Sequence, residues 1–89
     1  LRHEAFLIFK EGIKNLILVG ANNCNVYVSF ERGYLLFTTQ FDHIHCDMQQ
    51  LNNLLHRQDL EKRLNNIQAN IDIEVHKTNS VITLEVPVA

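Results

Sequence analysis

The stretch FLIFKEGIKNLILVGANNCNVYVSF, residues 6–30, changes its hydrophobic period once, and the fold turns on that change. Up to Val19 the apolar residues Phe6, Phe9, Ile13, Leu16 and Ile17 recur at three- and four-residue steps, with Gly20 following them. Such spacing marks one buried stripe and predicts a helix over residues 1–19, ended by Gly20. Residues 21–23 form the expected turn. From Asn25 the period drops to two, with Val26, Val28 and Phe30 on one face and Tyr27 and Ser29 on the other.

Working outward, residues 31–33 (ERG) read as a turn and residues 34–40 as a second strand, so residues 25–40 are an antiparallel hairpin. Over residues 47–69 the helical period returns through Met48, Leu51, Leu54 and Leu55, then Leu60, Leu64 and Ile67. Asp59 is a candidate N-cap for a fresh helix, so this segment is one kinked helix or two. Ile71, Ile73 and Val75 then alternate with Asp72, Glu74 and His76. Residues 77–80 turn the chain into a last strand, completing a hairpin over 71–88 with Pro87 near its end. The order is α-β-β-α-β-β in a single domain. It predicts an α+β two-layer sandwich: a four-stranded, mostly antiparallel sheet with helices on one face.

Composition narrows the classes. The chain has 89 residues, 46% of them apolar, with five phenylalanines. A chain this short buries about 60–65% of its unfolded surface and should be stable by about 4–13 kcal/mol. Net charge is −2 with basic and acidic residues interspersed, unlike the clustered positive face that nucleic acid requires. No apolar run approaches the roughly 20 residues of a membrane span. The start on LRHEAF without an initiator methionine leads us to expect a fragment of a longer protein, and no signal-peptide pattern is present. Cys24 and Cys46 are not spaced as a zinc pair, so free thiols in a reducing, cytoplasmic setting are expected.

The run LIFKEGIKNLILVGANNCNVYVSF resembles the N-box helix and following strand of the ATP-binding domain of two-component sensor histidine kinases, the histidine kinase-like ATPase (GHKL) family. LEKRLNNIQANIDIEV resembles that family's late helix and strand, and NSVITLEVP its final strand. Together these cover nearly the whole chain. The resemblance implies a Bergerat-type ATPase fold and a family activity of protein-histidine kinase with ATP and magnesium. It places the family's catalytic Glu at Glu11 and its magnesium-binding Asn at Asn15. Magnesium keeps several waters and needs few protein ligands, so one amide could serve.

The pattern then breaks. A basic residue and a His usually follow that Asn, and here Leu18 and Val19 stand there. The family's adenine-binding Asp falls on Phe41, and its two glycines on His43 and His45. Phenylalanine cannot accept a hydrogen bond from the adenine amine, a loss of about 1.5–3 kcal/mol. Asp42 is one residue away, on the opposite face of a strand unless the register slips by one. The second glycine box falls near Leu54 and His56. No glycine follows Gly33, so phosphate loops built on glycine backbone are missing. A leucine, Leu51, Leu54 or Leu55, is expected to close the cleft against Ile13, Ile17 or Phe37.

Other constellations are weaker. His43, His45 and Cys46, with Asp47 and His56 near in sequence, include good zinc ligands but no second paired set at ligand spacing. His3 sits at the start of the N-box helix, whereas the family's phosphoacceptor His lies in a separate domain. The charges from Glu61 to Arg63 read as a wet helix face. Cys24, Ser29 and Ser80 have no indicated base.

The sequence therefore reads as a degenerate sensor-kinase ATP-binding domain without bound cofactor. It would act in signal transduction through protein contacts with a receptor dimer, a response regulator or a kinase, the parent protein being a membrane receptor in some settings. Two other readings stand beside it: a catalytically competent kinase ATP-binding domain, and a small metal- or ligand-binding domain using His43, His45 and Cys46.

Overall fold

The computed structural model describes residues 2–55 and 57–88. Leu1, the expected helix start, and His56 lie outside the described residues, as does the side chain of Leu55. The elements run α1 (Arg2–Leu18), β1 (Asn22–Glu31), β2 (Tyr34–Asp42), α2 (Met48–Leu55), α3 (Gln58–Asn66), β3 (Asn70–Val75) and β4 (Asn79–Pro87). The fold is α+β. One four-stranded sheet has the order β1-β2-β4-β3, every neighbouring pair antiparallel.

Strand parity sets the layers. Leu35, Phe37, Thr39 and Phe41 of β2 lie beside Val86, Leu84, Ile82 and Ser80 of β4, and this row faces the helices. Two apolar clusters fill the space between the layers. In one, Ala5 and Ile8 of α1 meet Leu64 and Ile67 over Phe37, Leu84 and Val86. The rings of Phe9 and Phe37 stack there at 4.9 Å. In the other, Leu16 and Leu51 close over Phe41.

Several boundaries differ from the sequence reading. The helical segment is two helices, and Arg57, not Asp59, occupies the N-cap of α3, without a side-chain capping bond. Asp59 sits in the first turn, 3.1 Å from the Arg57 guanidinium. Asp47 caps α2 instead, accepting from the backbone N–H groups of Gln49 and Gln50. The first turn uses two residues rather than three. Glu31 pairs with Tyr34, and Arg32 and Gly33 both take positive φ, the arrangement that suits strand twist. The stripe of α1 is also rotated from the expected one. Phe6 and Ile17 are 52% and 59% exposed, while Ala5 and Ile8 are buried. Apolar residues surround this helix almost completely, so period alone did not fix which of them turn inward.

Two helix ends share one design. At the end of α1 the N–H of Ala21 bonds to the Leu16 carbonyl and that of Gly20 to the Ile17 carbonyl. At the end of α3, Ala69 bonds to Leu64 and Gln68 to Asn65. These are Schellman caps, and each needs a left-handed residue: Gly20 at φ 100°, Gln68 at φ 56°. At Gly20 a Cβ would stand 2.5 Å from the His45 carbonyl oxygen. Exchanging residue types at these caps should therefore act in opposite directions. We expect Gln68→Gly to stabilise by about 0.5–1 kcal/mol and Gly20→Ala to destabilise by more than about 1 kcal/mol. Urea unfolding midpoints at unchanged slope measure both.

Candidate functional site

Glu11 and Asn15 lie one helical turn apart on α1, along the wall of a cavity of about 90 Å³. The cavity separates the two apolar clusters. Thr39 and Ile82 of the sheet, Ile13 of α1, Leu54 of α2 and Leu60 of α3 line it, and Arg57, Asp59 and Arg63 also contribute to its lining. The expected closure is thus only partial. Leu51 is buried against Leu16 and Phe41, Leu54 reaches the cavity wall, and Ile17 points to solvent. The leucines of one short helix cannot fill both ends of the interlayer space.

The charges on the cavity lining are paired. Arg63 donates to Glu11 at 2.7 Å and to Glu4 at 3.3 Å, and Arg57 to Asp59 at 3.1 Å. The bond to Glu11 raises the Arg63 pKa, burial works against it, and Glu4 adds to the rise. Arg63 is therefore more than part of a wet helix face: it ties α3 to α1. All these groups are at least a third exposed, so each pair contributes at most about 1 kcal/mol.

The remaining site residues are drawn into structure. Phe41 is 1% exposed, inside the core. Asp42 lies on the other face. It accepts a 2.7 Å hydrogen bond from Asn23 Nδ2, clamping a bulge in which Asn22 pairs with Asp42 but Asn25 with Gln40. The register thus leaves Asp42 turned away from the helices. Leu18, at the basic position, is 74% exposed, and Val19 packs beside Leu16.

His43 uses both ring nitrogens. Nε2 lies 3.2 Å from the Lys77 carbonyl oxygen, to which it must donate. Nδ1 then accepts from the Ser80 hydroxyl at 2.7 Å. His45 is exposed, its carbonyl pressed on Gly20. Cys46 packs with Cys24 against the second cluster, and both are free thiols. Burial raises the pKa of each, and Cys24 adds to the rise at Cys46. Among the described residues no group of three or more His, Cys, Asp or Glu could hold a metal ion. No helix among them is long and apolar enough to cross a membrane. Sequence reasoning missed Thr39 and Gly12, both on the cavity. A glycine in the middle of an otherwise good helix was the available signal.

Two measurements check this geometry. His43→Ala should cost about 1–3 kcal/mol in urea unfolding, because it orphans the Ser80 hydroxyl, which is on a residue only 1% exposed. Adding Ser80→Ala should recover part of that loss. The thiols set a pH dependence. Their folded pKa values lie above the ordinary 9.0, so their contribution is full below that value and is lost as pH rises through the folded values. The unfolding midpoint should fall over this range, less steeply in the Cys24→Ala/Cys46→Ala double variant.

No protein-family model matches this chain, and no curated protein does.

Proposed function

We propose that this chain is a signalling module descended from the ATP-binding domain of a two-component sensor histidine kinase, with a Bergerat-type fold that no longer serves nucleotide chemistry. It works in the cytoplasm through contacts with a receptor dimer, a response regulator or a kinase. The element order and the placing of Glu11 and Asn15 along an interlayer cavity support the ancestry, together with the motif resemblance.

The observation that carries the loss of nucleotide binding is the burial of Phe41. Where the family needs a carboxylate facing adenine, this chain has a core side chain, and the adjacent Asp42 is occupied by Asn23. The residues present do not fit magnesium-ATP. Glu11 is engaged by Arg63, Arg57 and Arg63 are already paired with carboxylates, and the cavity is far below the roughly 300 Å³ of ordinary ligand clefts. A protein-contact role draws support from β1. Val26, Val28 and Phe30 occupy the row facing the helical layer yet are 44%, 58% and 63% exposed.

Calorimetric titration with magnesium-ATP tests this reading. One lost charge-assisted hydrogen bond of about 2 kcal/mol weakens binding roughly thirtyfold, and several elements are missing together. No binding below the millimolar range is expected. Sub-millimolar binding abolished by Asn15→Ala would establish the competent-kinase reading instead.

A further inference from the structure

Gly12 occupies the middle of α1, where glycine costs a helix about 1 kcal/mol relative to alanine. No turn or left-handed conformation requires it: its φ is ordinary for a helix, and an added Cβ would meet nothing within 4 Å. The missing side chain opens onto the cavity, which Gly12 lines. The chain thus keeps a weak helix former at a place on α1 where a larger residue would have room.

Thr39, on the facing strand, supplies the second observation. It is 3% exposed and lines the same cavity. Its hydroxyl has no partner among the side-chain hydrogen bonds of the described residues. No side-chain nitrogen or oxygen among those residues is fully enclosed without a partner, so this hydroxyl keeps some access, and the cavity that Thr39 lines is the open space beside it. On the sheet side its neighbours in the lining are the apolar Phe37, Ile82 and Leu84, while Asn15 and the paired charges stand on the helical side. A polar group set among apolar ones is the usual means by which a pocket orients a small ligand.

Volume and charge define that ligand. An apolar cavity of about 150 Å³ accepts benzene. The one here, about 90 Å³, is smaller but open on one side, so a single small ring would fit only with its edge left in solvent. Arg57 is paired with Asp59 and Arg63 with Glu4 and Glu11, so the lining has no spare charge for an anion or a cation. We propose that the cavity between α1, α3 and the sheet binds a neutral, single-ring aromatic bearing a hydroxyl, with the ring beside Gly12 and the hydroxyl bonded to Thr39. This goes beyond the signalling reading and does not rest on the proposed ancestry.

The test uses the full chain, with phenol and toluene as probes followed by amide chemical shifts. Seven heavy atoms in a small site correspond to dissociation constants of about 0.1–5 mM. Saturable shifts should centre on Gly12, Thr39 and Leu60. Thr39→Val should weaken phenol about three- to tenfold, the loss of one neutral hydrogen bond, and leave toluene unchanged. Gly12→Leu should abolish both while melting no lower than the parent, since leucine favours the helix and fills the space. Absence of saturable binding, shifts centred elsewhere, or equal effects of Thr39→Val on the two probes would overturn the proposal. The Thr39→Val comparison decides the matter even if Gly12→Leu folds poorly. Failure here leaves the magnesium-ATP result untouched, so the two readings fail separately.

Discussion

The parity of β2 governs both the core and the site. A strand sends alternate side chains to opposite faces, and β2 lies in the sheet interior with neighbours on both sides. Its odd-numbered residues from Leu35 to Phe41 meet the helices, which leaves Asp42 on the far face. A slip of one residue would bring the carboxylate inward and turn Phe37 and Phe41 out. Each phenylalanine contributes about 1.5–3 kcal/mol through burial, while a recovered hydrogen bond to a ligand is worth about 1.5–3 kcal/mol in total and only when the ligand is present. Two permanent contributions outweigh one conditional one. The register is therefore held by the core, and what this strand can recognise follows from that.

The helical layer shows a second constraint, one of coverage. Three helices and their connections must cover the inner face of the sheet, and they do so in two clusters, around Phe37 and around Phe41. Between the clusters neither α2 nor α3 supplies enough bulk. Gly12 adds none from α1, so a cavity persists. Arg63 spans this region from α3 to Glu4 and Glu11 on α1. Partial exposure makes these pairs modest in energy. Their larger consequence is to keep the cavity lining electrically balanced.

Sequence reasoning reached the elements more readily than their surroundings. Both hairpins were legible in their alternation, and Gly20 was legible as the end of α1 because a left-handed cap favours glycine. Gln68 performs the same task at α3 without that signature, so the end of α3 was placed three residues late. The rotation of α1 escaped because residues 5–9 are continuously apolar, and only contacts with Leu64 and Phe37 select Ala5 and Ile8. The site was legible in part. That Asp42 faces away from Phe41 follows from period two, whereas the burial of Phe41 comes from its contacts with Leu16 and Leu51 beyond the strand expected over residues 34–40. The Asn23–Asp42 clamp, the His43–Ser80 bond and the Arg63 bridge join residues 19, 37 and 52 or more positions apart, beyond the reach of local pattern.

Coverage also explains β1, whose pattern is that of a buried strand and whose surroundings are not. Strand β1 is an edge, paired only with β2, and its inward row of Val26, Val28 and Phe30 extends past the helices. Burial therefore contributes less to holding β1 than it does to β2 or β4. Main-chain bonds to β2, the tight Arg32–Gly33 turn and the Asn23–Asp42 clamp must make up the difference. The bulge at Asn23 twists one end of this edge, a device that limits indiscriminate strand pairing. Beyond it, residues 25–31 pair regularly with β2, and neither proline nor lysine interrupts that stretch. Apolar side chains and unpaired main-chain groups thus coincide on one edge, and that coincidence is what the proposed contact role draws on.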